Sequence, residues 1–351
     1  MRKPSILPSY AGLVLKSLLG LCVIVAVGRQ AFQTWTDLQK HGVIFRIHPG
    51  WLSLAGGLYL IGLLVDGVWF YRVLSSTNTP VPLLAAIRAY IVSHLGKYIP
   101  GKALVVVMRV AMVIPEGVQA ATAAIATLYE TLVMMAAGSL MALIGFVGLP
   151  ESKLVVPGFG AFPLVVVGAV LALGFLFITW PSVFLNLSKL LRLPFPAMGP
   201  NVSPLVNTAL FFEGLLWTSL GWLFLGLSQV AILYGIGYGR LDITSLLAVV
   251  GSVALATVAG FVVPVSPGGL GIREWALWTS LATLIDPPWA VVASLGLRLV
   301  WVTTEILAAA VLLPFSSRIN SIRIQQKNLF SNLSPEGVSR SDDQRGGSNS
   351  E

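Results

Sequence analysis

The sequence predicts an all-α fold, a polytopic membrane bundle with about six full spans and two broken, re-entrant helical hairpins. Three observations predict it. The chain has 351 residues, of which 56% are hydrophobic and only 10% charged, whereas soluble domains carry about 25% charged residues. Apolar stretches near the length needed to span a bilayer recur along the chain. Two further apolar regions are interrupted near the middle by Pro-Gly, which stops a helix because proline lacks an amide donor and clashes with the preceding turn.

The elements follow in order. Ala11–Gly28 reads as a retained first helix rather than a signal peptide, since its apolar core runs on and no small-residue cleavage site follows. Arg29–Gly50 is a polar loop, and Trp51–Leu74 is the next span. Pro82–Ile114 is the first broken region, followed by spans at Val118–Leu149 and Pro163–Trp180. Pro181–Asn207, rich in proline, is a linker. Asn207–Gly237 spans, Ile243–Ile285 is the second broken region, and Trp289–Pro314 is the last span. From Ser316 the chain turns polar and is expected to be disordered, being unable to bury a core. The expected domains are thus a membrane domain over 1–315, with half-repeats at about 1–150 and 157–315, and a cytoplasmic tail over 316–351.

The formal net charge is +8. The basic residues are spread between apolar segments, so they orient the protein and face anionic lipid headgroups; no nucleic-acid partner is expected. Arg2, Lys3, Arg72, Arg88, Lys97, Lys102, Arg109, Lys189, Arg192 and the tail basics share one side if the N-terminus is cytoplasmic. The other side then receives only Arg29, Lys40, Arg46, Lys153 and Arg240, which places both termini in the cytoplasm of a cell (inner) membrane protein. The lone Cys22 permits no intramolecular disulfide.

The two broken regions echo each other. The first reads LLAAIRAYIVSHLGKYIPGKALVVVMR from Leu83, the second LLAVVGSVALATVAGFVVPVSPGGLGIRE from Leu246. Each begins Leu-Leu-Ala, continues for several turns and reaches Pro-Gly with a basic residue soon after. Three crossings plus one broken region in each half would invert the second half relative to the first, as in transporters with inverted repeats. A competing count makes Ile243–Val263 and Gly269–Ile285 full spans, about eight in all. The orientation of the termini does not separate the two.

A helix restarting after such a break presents unpaired amides and a positive dipole end, which suits an anion. The phosphate-binding residues expected there are Lys97, Lys102, Arg109 and Arg273, with backbone amides near Pro100, Gly101, Pro267, Gly268 and Gly269. Ionisable side chains inside a membrane segment have a partner and a task. Glu130, Glu274 and Glu305 are the expected acidic partners and Arg298 a further intramembrane base. Arg298 and Glu305 are seven apart on one helix and share a face, so they form a network with Arg273 and Glu274 in this reading, while Glu130 meets a base of the first break. Asp66 and Glu213 also lie within spans. Trp51, Trp69, Trp180, Trp217, Trp222 and Trp289 lie near span ends or are packed within spans, and most read as interface anchors. His41, His48 and His94 are dispersed, so no metal is expected. No zinc-protease, nucleophile-elbow or nucleotide-loop motif is present, so no catalytic residue, cofactor or ATP-driven step is expected.

At the breaks the chain resembles the lysylphosphatidylglycerol synthase transmembrane-region family of flippase-like membrane proteins. The motif KYIPGK with Arg109 downstream is similar to that family's first Pro-Gly motif, and SPGGLGIRE to its second and more specific one. LYETL around Glu130 resembles the acidic position in the following helix, although the family often has Arg where this chain has Thr131. The resemblance covers nearly the whole chain. It implies a membrane module that moves modified or sugar-carrying lipids between leaflets; lipid aminoacylation, which belongs to the synthase's soluble domain, is not carried over. The expected function is transport of an anionic phospholipid or a polyprenyl-phosphate-linked glycolipid. The alternatives are a non-transporting membrane partner of a lipid-modifying glycosyltransferase and, last, an intramembrane lipid enzyme using the carboxylates.

Overall fold

The computed structural model describes residues 46–77, 81–98, 103–150, 163–191, 206–239, 241–263 and 271–314. The segments Ala11–Gly28 and 316–351, with Pro100, Gly101, Lys102, Pro267, Gly268 and Gly269, lie outside them. Among the described residues the chain is all-helical, with ten α-helices: α1 (Pro49–Ser75), α2 (Leu83–Ser93), α3 (Ala103–Val113), α4 (Ala120–Val147), α5 (Pro163–Thr179), α6 (Pro181–Leu190), α7 (Thr208–Gly235), α8 (Ile243–Val262), α9 (Ile272–Leu281) and α10 (Pro287–Leu312). A 3₁₀ turn, His94–Tyr98, continues α2. Two compact units divide at Ile306–Leu307, and everything below concerns the first.

Among the described residues five helices are long and apolar enough to cross a membrane: α1, α4, α7, α8 and α10. A sixth crossing arises if α5 and α6 form one broken span; they bend by 74° where Pro181 opens α6. Large apolar side chains such as Leu173, Leu216 and Leu299 remain outward and exposed, as a lipid-facing surface requires.

The two broken regions differ. In the first, α2 and α3 have eleven residues each, about 16 Å apiece and half of a hydrocarbon core. The chain doubles back between them: a Cβ at Gly96 would lie 2.9 Å from the Val105 amide nitrogen. In the second, α8 has twenty residues and α9 only ten. Ten residues rise about 15 Å, so of the two spans in the alternative count α8 has the length of one and α9 half of it.

Small residues let the central helices close on one another. At the α4–α8 crossing a Cβ on Gly145 would lie 2.6 Å from the Leu247 carbonyl oxygen and 3.0 Å from Gly251 Cα. Close backbone approach of this kind is how helices associate where lipid offers no hydrophobic drive. Interhelical hydrogen bonds add to it. Ser228 Oγ on α7 donates to the Ala55 carbonyl on α1 at 2.8 Å, and Trp301 Nε1 on α10 donates to Ser228 Oγ at 3.1 Å.

Two of the tryptophans are packed within the bundle. Trp69 and Trp222 are wholly buried. Trp222 Nε1 crosses from α7 to donate to the Met134 carbonyl on α4 at 2.8 Å. Each fills the gap opposite a glycine, Gly214 for Trp69 and Gly138 for Trp222, so a bulky ring fits where a partner helix lacks a side chain.

Candidate functional site

A cavity of about 400 Å³ opens among α1, α2, α3, α4, α7, α8, α9 and α10. Its walls are largely apolar, with Leu63, Val105, Val106, Met134 and Leu225, and its polar lining gathers Lys97, Arg109, Arg273, His94, Glu130 and Thr131. Residues from both broken regions therefore reach one chamber. Its size falls in the range of about 300–1,000 Å³ typical of small-molecule sites.

Each charge is held by a specific neighbour. Arg109, on α3, donates from Nη1 to Glu130 Oε2 at 2.5 Å and from Nε to Ser93 Oγ at 3.1 Å. Its guanidinium also lies between two rings, 4.9 Å from the centroid of Phe70 and 4.3 Å from that of Tyr90. Hydrogen bonds to Glu130 and Ser93 and two ring faces together replace the water that a buried guanidinium gives up. Glu130 keeps its second oxygen, Oε1, buried and without a hydrogen-bond partner.

Lys97, on the 3₁₀ turn, reaches across to α10 and donates to Glu305 Oε1 at 2.5 Å. The Tyr59 hydroxyl donates to the same oxygen. Tyr59 stacks on Trp301 with centroids 4.2 Å apart, and the Arg273 guanidinium lies 4.3 Å from the Trp301 ring centroid. Among the described residues Arg273 joins no carboxylate pair; its buried side chain is held by that ring.

Glu274 does a different job. Gly271 caps α9 with φ 84°, a conformation that glycine adopts without strain. Its amide donates to Glu274 Oε2 at 2.6 Å, so the glutamate side chain closes the first turn of its own helix. The other oxygen accepts from Arg298 Nη1 at 2.9 Å. The GIRE portion of the second motif is thus a helix start clamped to α10, with Arg273 between the capping residues and turned to the cavity.

The structure brings Lys97, Arg109, Glu130 and Arg273 to the cavity and places Glu305 behind Lys97, Glu274 and Arg298 as a clamp. Sequence reasoning missed Tyr59, Tyr90, His94 and Trp301. His94 had been weighed only as a metal ligand. Its Nδ1 donates to the Tyr90 carbonyl at 3.0 Å, which leaves Nε2 as an acceptor. The available signal was helical spacing: Tyr90, His94 and Lys97 follow one another on a single face of the first broken region.

Helices long enough to cross a bilayer, closed around a chamber of paired charges, define a multi-pass membrane protein with a polar interior site. Within that class the chain belongs to the lysylphosphatidylglycerol synthase transmembrane-region family, whose model matches residues 13–309. That family is a membrane domain, often flippase-like. A search of curated proteins finds no match.

Proposed function

We propose that the protein is a flippase-like transporter. It moves an anionic phospholipid or a polyprenyl-phosphate-linked glycolipid between leaflets of the cell membrane, with both termini cytoplasmic. The observation that carries this reading is the cavity itself, where Lys97, Arg109 and Arg273 converge within apolar walls. Phosphate matches these groups, since guanidinium and ammonium donors make charge-assisted hydrogen bonds to its oxygens. A volume of about 400 Å³ suits a headgroup, with the acyl or prenyl chains left among the helices.

Lys97 is the group best placed to change partner. If it turns to a phosphate, Glu305 still accepts from Tyr59 and is not left bare. Arg273, free of any carboxylate pair, adds a second contact. Arg109 supplies positive potential from behind, fixed by Glu130. This reading assigns the protein no chemistry on the lipid.

Headgroup translocation in proteoliposomes tests this. Arg273→Ala is expected to slow movement of an anionic lipid at least tenfold, the effect of losing one charge-assisted contact of about 1.5–3 kcal/mol. Equal rates for Arg273→Ala and the wild type would refute the assignment. No movement by the purified protein, together with a stable complex with a lipid-modifying glycosyltransferase, would favour a non-transporting partner instead.

A further inference from the structure

Asp66 is a buried polar residue that the site leaves unused. It lies in the middle of α1, wholly buried, and neither carboxyl oxygen has a hydrogen-bond partner. A buried carboxylate without donors is far costlier than a buried carboxylic acid. Membrane proteins retain such groups for function.

Its position ties it to the cavity. Tyr59, Leu63, Asp66 and Phe70 recur at helical spacing along one face of α1. Tyr59 and Leu63 line the cavity, and the Phe70 ring carries the Arg109 guanidinium. Asp66 therefore lies one helical turn from the ring that holds Arg109. The charged and titratable groups facing it are Tyr90 from α2, Arg109 from α3 and Glu130 from α4. From α7 it meets Gly221, where any Cβ would collide with the Asp66 carboxyl. No group of three or more His, Cys, Asp or Glu side chains that could hold a metal ion exists among the described residues.

We propose that Asp66 is a proton-loading site that shares one proton with Glu130 across Arg109. In one arrangement the proton is on Asp66 and Arg109 pairs with Glu130, the pair that the structure holds. In the alternative, the Asp66 O–H bond breaks, an O–H bond forms on Glu130, and the guanidinium turns to the new Asp66 carboxylate. The net charge of the three groups is the same in both, so neither state leaves a bare charge in the protein. Glu130 lines the cavity and has a spare oxygen, so a proton delivered there reaches whatever the cavity holds. Each arrangement is one position of a two-state element that a pH gradient biases. Coupling this exchange to lipid movement rests on the transport reading above; the proton site does not.

Two measurements on the full chain separate these. Infrared spectra in nanodiscs at neutral pH are expected to show a protonated-carboxyl C=O band that disappears in Asp66→Asn, a variant that preserves shape and charge. A band that persists in Asp66→Asn, or that is lost only in Glu130→Gln, overturns the proton site. In proteoliposomes with a fluorescent anionic phospholipid, the wild type is expected to accumulate lipid up to about tenfold per pH unit of imposed gradient if one proton moves per lipid. Asp66→Asn is expected to lose that response. A wild-type rate indifferent to pH, or one that follows a sodium gradient, overturns the coupling. If no lipid moves under any condition the transport reading falls, and the infrared band still decides the proton site.

Discussion

Arg109 and Lys97 belong to the same hairpin and each meets a carboxylate at 2.5 Å, yet the two pairs are built differently. Arg109 and Glu130 have side chains only 2% and 1% exposed, whereas Lys97 is 21% exposed against a Glu305 that is 0% exposed. The first pair is sealed by Phe70, Tyr90 and Ser93; the second has an open side and a tyrosine in reserve. The same ionic contact can thus be closed to a ligand or open to one, and what decides is the exposure of the cation. Glu305 also accepts from Tyr59, while the Thr131 hydroxyl oxygen lies 3.2 Å from Glu130 and is also bonded to the Thr127 carbonyl.

Breaking the sealed pair carries the largest expected effect. Arg109→Ala strands Glu130 in a buried site and is expected to cost about 3–5 kcal/mol, read as a loss of folded protein in denaturant titrations in detergent. The double variant Arg109→Met with Glu130→Leu sharpens the point. Replacing both members of a buried pair by apolar residues is often neutral, so the double variant is expected to recover most of the stability while remaining inactive in lipid movement. Recovery of movement as well would show the pair to be structural only.

The open pair is expected to respond in the opposite sense. Lys97→Gln removes a partly exposed cation from a carboxylate that keeps Tyr59, so its stability cost is expected to stay near 1–2 kcal/mol or about a third of that of Arg109→Ala. Its effect on lipid translocation should nevertheless be at least as large as that of Arg273→Ala. Smallest of all is Tyr59→Phe, expected to cost about 1 kcal/mol as the loss of one hydrogen bond, with Lys97 then unable to leave Glu305. Translocation by Tyr59→Phe should therefore fall more than its stability does, and a proportionate fall in both would blunt the distinction between the pairs.

The helices and the ionisable groups were legible in the sequence, because length and hydropathy mark a span and a charge inside one stands out. Arg109 and Glu130 are 21 positions apart, on successive helices, so their meeting could be anticipated from the hairpin. Lys97 and Glu305 are 208 apart, and nothing local writes that contact. Helices such as α1 and α7 are apolar all round, so periodicity does not say which face turns inward. Which tryptophans are buried is not legible for the same reason, since the packing of Trp69 and Trp222 depends on glycines in another helix. The short length of α9 was hidden because its cap, Gly271 with Glu274, lies several residues beyond the proline at which a break is read.

The central claim is that a phosphate-bearing lipid enters the cavity and takes Lys97 from Glu305. The most direct test is site-specific photo-crosslinking in native-like membranes, with a photoreactive residue at Met134 inside the cavity and another at Leu173 on the outer face. The account predicts that radiolabelled anionic lipid crosslinks at both positions in the otherwise unaltered protein, and that Lys97→Gln abolishes the Met134 crosslink alone. Crosslinking at Leu173 with none at Met134, or a Met134 crosslink indifferent to Lys97→Gln, would contradict it.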